Sequence, residues 1–212
     1  MTDAKHRYIV VEGPIGVGKT TLARRLAGTF GSELLLEGAD ENPFLERFYE
    51  QPGQGALPTQ LFFLFQRARQ MQELNQGDMF APVRVADFLM EKDRLFAQLT
   101  LDEAELNLYE QAWEHLAIRP PTPDLVIYLQ APVDVLKQRI YKRGRPEERE
   151  LSEAYLHRVV ESYARFFHLF DAAPLLIVNA AEIDLAEGEE DYRLLLEQVS
   201  AIGSGRHYFN PL

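Results

Sequence analysis

The fold of this chain is decided by the stretch Ile9-Val10-Val11-Glu12-Gly13-Pro14-Ile15-Gly16-Val17-Gly18-Lys19-Thr20-Thr21. It contains the pattern Gly-x-x-x-x-Gly-Lys-Thr, which is typical of phosphate-binding loops. A β-branched segment before the pattern predicts a strand, and an amphipathic segment after it predicts a helix. Glycines let backbone N–H groups face phosphate oxygens, and the helix N-terminus adds the positive end of its dipole. We therefore expect this chain to bind a nucleoside triphosphate.

The polar positions of this loop have distinct expected roles. Lys19 supplies a positive charge to the β- and γ-phosphates, and the Thr20 hydroxyl is an expected ligand of Mg²⁺. The expected nucleotide-binding positions are Gly13, Gly16, Gly18, Lys19, Thr20 and Thr21. The alternative is a Gly-rich turn without a ligand, which the correct flanking segments disfavour.

The composition is that of a globular protein with an acidic surface. The chain has 212 residues, of which 46% are hydrophobic, and this suits one α/β domain spanning residues 1–212. Its net charge of −11 argues against partners such as nucleic acids and anionic membranes. The sequence contains no cysteine, which excludes disulfides and cysteine–zinc sites. The polar N-terminus does not resemble a signal peptide, and the apolar runs are too short to span a bilayer, so we expect a cytoplasmic protein.

Predicted strands alternate with predicted helices, which indicates a parallel sheet covered by helices on both faces. The predicted strands are residues 8–11, 34–36, 82–86, 125–129 and 175–178. We expect Asn42 to cap a short helix with Pro43 at its first position. Pro58 is expected to open a long helix that ends at Gly77, and Ser152 to cap another. The tail, residues 203–212, is interpreted as a docked or frayed terminus.

Two carboxylates follow predicted strands at the edge of the sheet where ligands bind in this class of fold. Glu37 follows strand two and is a candidate base for a hydroxyl acceptor, with a solvated loop acid as the alternative. Asp87 follows strand three and is a candidate to hold Mg²⁺, with a helix N-cap as the alternative. Together with Lys19 they predict a site of phosphoryl transfer.

A cluster of arginines ends one predicted helix of this acidic chain. Arg139 and Arg143 lie one helical turn apart, and Arg145 extends the cluster into a loop. We expect residues 139–151 to form a lid that contacts phosphates, although basic residues at a helix C-terminus can also simply complement the dipole. On another helix Gln60 and Arg67 share one largely apolar face, so a ligand or another helix must provide their partners.

The order and spacing of these blocks resemble the deoxynucleoside kinases of the bacterial and of the animal cytosolic and mitochondrial type. The resemblance extends from the first strand to about residue 178. Its specific blocks are Glu37, Asn42-Pro43-Phe44-Leu45-Glu46-Arg47-Phe48-Tyr49, Gln60, Arg67 and Arg139-Ile140-Tyr141-Lys142-Arg143-Gly144-Arg145-Pro146-Glu147-Glu148. It implies a P-loop kinase fold with a five-stranded parallel sheet, a homodimer, and ATP-dependent phosphorylation of the 5′-hydroxyl of a deoxynucleoside. The chain looks most like the bacterial deoxyguanosine and deoxyadenosine kinase branch, which favours purine substrates.

The resemblance also implies roles for single side chains. Glu37 matches the base that accepts the 5′-hydroxyl proton, and Tyr49 and Glu148 match residues that hold the sugar 3′-hydroxyl. Gln60 matches a residue that hydrogen-bonds the nucleobase, and Arg67 matches a residue close by in the same pocket. The lid arginines match residues that contact the phosphates of ATP. Further substrate contacts are implied for Asp87, Asp93 and, through stacking on the base, Phe96.

One position departs from the family pattern. The family commonly has an arginine directly after the acid that matches Asp87, and this arginine helps to place the 5′-oxygen and the phosphates. Here that position is Phe88, so the function of this arginine moves to another group or is absent. We expect this group to be Arg67, because Gln60 on the same helical face is already assigned to the base and a buried Glu37 without a cation would be costly.

Two other functions remain open at this point. A thymidylate-type nucleoside monophosphate kinase should carry Glu-Pro-Gly-Gly after strand two and Asp-Arg-Tyr at strand three. This chain instead has Glu37-Gly38-Ala39-Asp40 and Asp87-Phe88-Leu89. A nucleotide-binding protein without turnover would not need Lys19 and Thr20 together with both strand-end acids. The long helices also predict a homodimer face, through the aromatic residues Phe62, Phe65, Tyr109 and Trp113.

Overall fold

The structure of the protein, a computed structural model, describes residues 6–75, 83–184 and 188–210. Within these residues six strands form one parallel sheet in the order β2-β3-β1-β4-β5-β6. The strands are β1 Tyr8–Glu12, β2 Glu33–Leu35, β3 Arg84–Ala86, β4 Leu125–Gln130, β5 Leu175–Asn179 and β6 Arg206–Phe209. The helices are α1 Lys19–Phe30, α2 Leu45–Glu50, α3 Pro52–Asn75, α4 Lys92–Thr100, α5 Glu103–Leu116, α6 Val133–Arg143, α7 Glu153–Leu169 and α8 Glu189–Ala201.

Helices cover both faces of the sheet, as the alternation of strands and helices predicts. Along β1, Ile9 and Val11 point into a core formed with α1 and α8, whereas Val10 points into a second core formed with α3, α5 and α7. All three side chains are fully buried, as is typical of a central parallel strand. The α/β prediction is confirmed, and the carboxyl ends of the strands lie along one edge of the sheet.

The sheet has one more strand than the five expected. Strand β6 pairs in parallel with β5, with Leu175 opposite Arg206 and Val178 opposite Phe209. Exposed and half-buried residues alternate along β6, and Phe209 packs against the core that contains α1 and α8. A short amphipathic segment next to an open sheet edge gains both ladder hydrogen bonds and burial. The tail is therefore docked as a strand and not frayed over these residues.

Helix α3 starts before Pro58, which lies inside the helix and does not open it. The cause is the contact between α2 and α3. A Cβ at Gly55 would lie 2.7 Å from the backbone nitrogen of Phe48, so the two helices touch backbone to backbone at this glycine. This tertiary contact stabilises helical structure in a segment whose Gly and Pro content predicted a loop. The expected helix end at Gly77 and strand start at Pro82 lie outside the described residues.

The prediction that Asn42 caps a helix is wrong, and the prediction that Ser152 caps one is confirmed. Helix α2 begins at Leu45, and Asn42 lies upstream, where its Oδ1 accepts a hydrogen bond from the backbone N–H of Phe44 at 3.0 Å. Ser152 caps α7 and accepts a hydrogen bond from the backbone N–H of Tyr155 at 3.2 Å. Among the described helices, none is both long and apolar enough to cross a membrane.

Candidate active site

The phosphate-binding loop between β1 and α1 has the backbone that its glycines predict. Gly13, Gly16 and Gly18 have φ angles of 148°, 82° and 107°, which side-chain-bearing residues rarely adopt. A Cβ at Gly13 would also lie 2.5 Å from the carbonyl oxygen of Leu129. Lys19, the first residue of α1, donates from Nζ to the carbonyl oxygen of Gly13 at 2.7 Å. The loop therefore holds the Lys19 ammonium group at the N-terminus of α1. The ammonium charge and the positive end of the helix dipole both favour an anion there.

Strands β2 and β3 lie side by side and bring Glu37 and Asp87 to this loop. Asp87 Oδ2 accepts a hydrogen bond from the Thr20 hydroxyl at 2.5 Å, and Oδ1 accepts one from the backbone N–H of Glu37 at 2.8 Å. A carboxylate and a hydroxyl in contact are the oxygen donors that Mg²⁺ prefers, so these side chains fit the expected magnesium site. The N-cap alternative for Asp87 is wrong, because α4 begins at Lys92 and Glu91 is its cap residue.

Two cations contact the Glu37 carboxylate. An Nη of Arg67 pairs with Oε1, and Lys92 Nζ lies 2.9 Å from the same oxygen. Burial alone raises the pKa of this carboxyl, but the cations of Lys92, Arg67 and Lys19 outweigh burial and hold the pKa well below its usual range. Glu37 is therefore ionised at neutral pH and able to accept a proton. The predicted contact of Arg67 with Glu37 is confirmed, and Lys92 adds a second cation.

The wall beyond Glu37 is formed by α3 and α4. Gln60 and Arg67 are almost fully buried in α3, and both line the adjacent cavity. The Arg67 guanidinium also pairs with Asp93, which is fully buried and lies behind Arg67 without lining the cavity. Phe96 lines the cavity, and its ring meets that of Tyr163 edge-on, with centroids 6.0 Å apart. Gln60, Arg67 and Phe96 thus border one space, and Asp93 supports the arginine.

A cavity of about 960 Å³ joins this wall to the phosphate-binding loop. It brings together most residues that the sequence predicted for the site. The predicted residues in its lining are Gly16, Gly18, Lys19, Thr20, Thr21, Glu37, Tyr49, Gln60, Arg67, Asp87, Phe96, Arg139, Arg143, Arg145 and Glu148. A volume of this size accommodates a triphosphate at the loop together with an acceptor molecule at the wall.

Comparison with known proteins gives the family. The family model described as deoxynucleoside kinase matches residues 9–202. The chain belongs to the deoxynucleoside kinase family. The deoxyguanosine kinase of Bacillus subtilis (strain 168) is 32% identical over 92% of this chain and 97% of its own length. The deoxyguanosine kinase of Lactobacillus johnsonii is 31% identical, with 91% of each chain covered.

Solved structures show the same fold for this kinase. A deoxyadenosine kinase from M. mycoides with the products dCMP and a flexible dCDP bound has a TM-score of 0.80 at 24% identity. The comparison covers 92% of this chain and 100% of that chain. The resemblance inferred from the motifs is confirmed, and with it the phosphorylation of deoxynucleosides as the class of reaction.

Tyr49 and Glu148, which the resemblance pairs at the sugar, both line the kinase's cavity. Glu148 Oε2 accepts hydrogen bonds from Nε and Nη2 of Arg143 at 3.0 and 2.5 Å. Arg145 donates from Nη2 to Asp40 at 2.9 Å, and Asp40 is also part of the cavity lining. Burial, with Glu148 among the nearby charges, raises the pKa of the Tyr49 phenol well above its usual range. Tyr49 therefore remains a neutral phenol that can donate a hydrogen bond into the cavity.

Arg139 lines the cavity, but its guanidinium is held by the backbone. It donates to the carbonyl oxygen of Val17 at 3.2 Å, of Ala180 at 2.7 Å and of Ile183 at 3.4 Å. These bonds tie the phosphate-binding loop to the segment that follows β5. Arg139 was expected to contact phosphates, and in this structure its contacts position the loop.

Two buried charged residues of the cluster around Glu37 did not follow from the sequence. Lys92 is one, and the fully buried Glu12 is the other. Glu12 accepts hydrogen bonds from the backbone N–H of Gly13 at 2.8 Å, that of Leu89 at 2.9 Å, and the Tyr163 hydroxyl at 3.0 Å. An acidic residue inside the apolar strand β1 was the signal that could have found Glu12, because buried carboxylates need partners.

Proposed function

We propose that this kinase transfers the γ-phosphoryl group of ATP to the 5′-hydroxyl of a purine deoxynucleoside, deoxyguanosine or deoxyadenosine. The observation that carries the proposal is the ionised Glu37 carboxylate on the cavity wall. The Glu37 backbone is joined through Asp87 to Thr20 of the phosphate-binding loop. A base next to the triphosphate position is what the transfer to a hydroxyl requires.

In the proposed reaction the nucleobase lies against Phe96 and Gln60, and the 5′-oxygen lies at Glu37. Glu37 accepts the hydroxyl proton, and the electron pair of the O–H bond forms the new bond to the γ-phosphorus. The bond from that phosphorus to the bridging oxygen breaks, and its electron pair leaves on ADP. Lys19 and the lid arginine Arg143 neutralise charge on the phosphates. Catalysis then consists mainly of alignment and charge stabilisation.

We also propose a role for Mg²⁺. Thr20 and Asp87 would hold the ion, because their oxygens already touch beside Lys19 and are of the donor type that it prefers. When bound, Mg²⁺ would neutralise phosphate charge and orient the triphosphate. Asp87 has a further task in this chain, since its second oxygen accepts a hydrogen bond from the backbone N–H of Glu37.

The purine preference is supported by the relatives. Two of them, from Bacillus subtilis and Lactobacillus johnsonii, are deoxyguanosine kinases that match this chain over most of its length. The wall offers an amide at Gln60 and a guanidinium at Arg67 in one buried pocket. These groups provide several donors and one acceptor for the edge of a base.

The test is an ADP-release assay with ATP, Mg²⁺ and a panel of the four deoxynucleosides and their 5′-monophosphates. We expect the highest kcat/KM for deoxyguanosine or deoxyadenosine. Phosphorylation of thymidine monophosphate instead would indicate a thymidylate-type kinase. ATP binding without ADP release on any acceptor would indicate a nucleotide-binding protein without turnover. Turnover that does not respond to removal of Mg²⁺ by chelation would contradict the metal site.

We further propose that the kinase forms a homodimer through the outer face of α3 and α5. Phe65 on α3 and Leu108 on α5 are 52% and 51% exposed. Tyr109 is fully buried and Trp113 packs against the core, so these two expected interface residues belong to the fold instead. Sedimentation should show a dimer at micromolar concentration that Phe65→Ser weakens. Tyr141→Ser, at an exposed residue on α6, is the control, and a monomeric wild type would contradict the proposal.

A further inference from the structure

Lys92 is a buried cation at the unfavourable end of a helix. It is the first residue of α4, where the backbone N–H groups create a positive potential, and it is only 4% exposed. Its Nζ lies 2.9 Å from a Glu37 oxygen and 3.6 Å from a Glu12 oxygen. Burial and the helix dipole both disfavour an ammonium group at this position, so packing alone does not explain it.

Neither carboxylate needs Lys92 to complete its hydrogen bonds. Glu12 accepts three hydrogen bonds, from two backbone N–H groups and the Tyr163 hydroxyl. Glu37 is already paired with the Arg67 guanidinium. Lys92 nevertheless reaches past the Phe96 ring, 5.7 Å from its centroid, and lines the cavity. Its charge is therefore available to a ligand in the cavity.

Two ammonium groups act on the same part of this cavity. Lys19 Nζ lies 2.7 Å from the carbonyl oxygen of Gly13, Lys92 Nζ lies 2.9 Å from a Glu37 oxygen, and both lysines line the cavity. Lys19 belongs to the phosphate-binding loop and approaches from the ATP side, whereas Lys92 approaches from the acceptor side. Like charges held around one point favour an anion there.

We propose that Lys92 is a catalytic residue that binds the phosphoryl group as it arrives on the 5′-oxygen of the nucleoside. It thereby supplies the cation that the sequence lacks at Phe88, a role that we had expected of Arg67. The inference rests on the proposed function. Arg67 is less suited to it, because its guanidinium is shared between Glu37 and the buried Asp93.

The ammonium group changes partner during the transfer. Before it, Lys92 pairs with the Glu37 carboxylate. As the 5′-oxygen bonds to the γ-phosphorus, its proton goes to Glu37, and the electron pair of the broken P–O bond leaves on ADP. The Glu37 carboxylate has then lost its charge, and Lys92 pairs with the new monophosphate in its place while Glu12 stays beside it.

The test compares binding of deoxyguanosine and its 5′-monophosphate to Glu37→Gln and to Glu37→Gln/Lys92→Met by titration calorimetry. The Glu37→Gln background removes the carboxylate that pairs with Lys92 in the wild type, so loss of Lys92 leaves no unpaired charge at residue 37. We expect loss of Lys92 to weaken monophosphate binding by about 10-fold or more, as for a charged hydrogen bond, and nucleoside binding by less than about 3-fold. A Lys92→Arg change in the same background should restore most of the monophosphate affinity.

The outcomes separate this inference from the proposed function. Equal weakening of both ligands would show a structural role for Lys92, and no change in either would show no role. Both results overturn the inference while deoxynucleoside turnover by the wild type leaves the proposed function standing. Absence of that turnover would instead overturn the proposed function. Lys137→Met, at an exposed ion pair with Glu153, is the control for loss of one positive charge. If Lys92→Met fails to fold, Lys92→Gln is measured in its place.

Discussion

The wall around Glu37 and the lid around Glu148 use the same chemistry, arginine–carboxylate pairs, in different environments. In the wall the Arg67 side chain is 2% exposed. In the expected lid the side chains of Arg143 and Arg145 are 38% and 33% exposed, but their shared partner Glu148 is only 4% exposed. Asp40, the other partner of Arg145, is 67% exposed, so water and salt screen this pair far more than the pairs of the wall. The wall is therefore fixed before a ligand arrives, whereas Arg145 can exchange Asp40 for another anion at little cost.

This difference shows how the site divides its tasks. In the proposed mechanism the base must be held in one place and in one ionisation state, and the buried cations around Glu37 fit both requirements. Entry of ATP and release of ADP would need groups that change partners, and the partly exposed Arg145 fits that task. Among the described residues, the buried charges of Glu12, Arg67, Lys92 and Asp93 are grouped around the proposed base.

The largest expected effect comes from the carboxylate of the wall. Glu37→Gln removes the proposed base and should lower kcat by ~10²–10⁴ while ATP binding is retained. Turnover and an ATP titration measure the two properties separately. Glu41→Gln is a matched control, because Glu41 lies on the adjacent 3₁₀ segment and pairs with Gln66 at the surface. Near-normal turnover of Glu37→Gln would remove this carboxylate from the mechanism.

The next largest effect is expected from the buried arginine. Arg67→Met leaves Asp93 and Glu37 without their shared cation, and losing one partner of a buried pair typically costs about 3–5 kcal/mol of unfolding free energy. Thermal or urea unfolding measures this loss. Arg69→Met on the same helix, where the side chain is 72% exposed, should cost little.

The same variant should change the pH dependence of turnover. The cations lower the pKa of Glu37 in the folded protein below its value in the unfolded chain. The ionised carboxylate therefore stabilises the folded protein at pH values above the unfolded-state pKa, and this stabilisation is lost as the pH falls through the folded-state pKa. Without Arg67, the raising effect of burial is less opposed and the folded pKa increases. The acid limb of kcat, measured with saturating ATP, Mg²⁺ and nucleoside, should move to higher pH. An unchanged acid limb would mean that Lys92 and Lys19 set the charge of Glu37 without Arg67.

The sequence predicted those parts of the site whose geometry is local. The glycines of the phosphate-binding loop require positive φ angles wherever they occur, and strand ends in a parallel sheet meet at one edge, so Lys19, Glu37 and Asp87 converge as expected. Gln60 and Arg67 were singled out because polar residues on an apolar helical face need partners, and the family resemblance assigned both to the site.

The parts that were missed depend on contacts distant in sequence. Lys92 reaches Glu37 because residues 87–91 follow an irregular path, pinned where the Leu89 N–H donates to Glu12. No periodicity indicates such a path. Similarly, α3 continues through Pro58 because Gly55 packs on the backbone of α2, a tertiary contact that outweighs local propensity.

A smaller effect is expected where α2, which carries Tyr49, meets the wall helix α3. In Gly55→Ala the new Cβ would lie 2.7 Å from the backbone of Phe48. The clash is with main-chain atoms, so it cannot be relieved by rotating a side chain. We expect a loss of about 1–3 kcal/mol in unfolding free energy, as for overpacked sites. Gly53 lies two residues earlier in α3, and a Cβ there would meet no described atom within 4 Å. Gly53→Ala should therefore be neutral or stabilising in the same urea titration, and equal losses in both would contradict the packing explanation.

The smallest effect on stability is expected in the lid. Arg145→Met removes the pair with Asp40, whose side chain is 67% exposed, and a longer pair with Glu148 at 3.7 Å. Glu148 keeps its pair with Arg143, so the unfolding free energy should change by only about 0–1 kcal/mol. The KM for ATP should nevertheless rise several-fold, because Arg145 lines the cavity and is free to exchange its partner for a phosphate. Arg193→Met, in the exposed pairs of α8, is the control and should change neither quantity. A stability loss as large as that of Arg67→Met would show that the lid is as rigid as the wall. An unchanged KM for ATP would show that Arg145 does not bind ATP and only holds its segment to Asp40 through their ion pair.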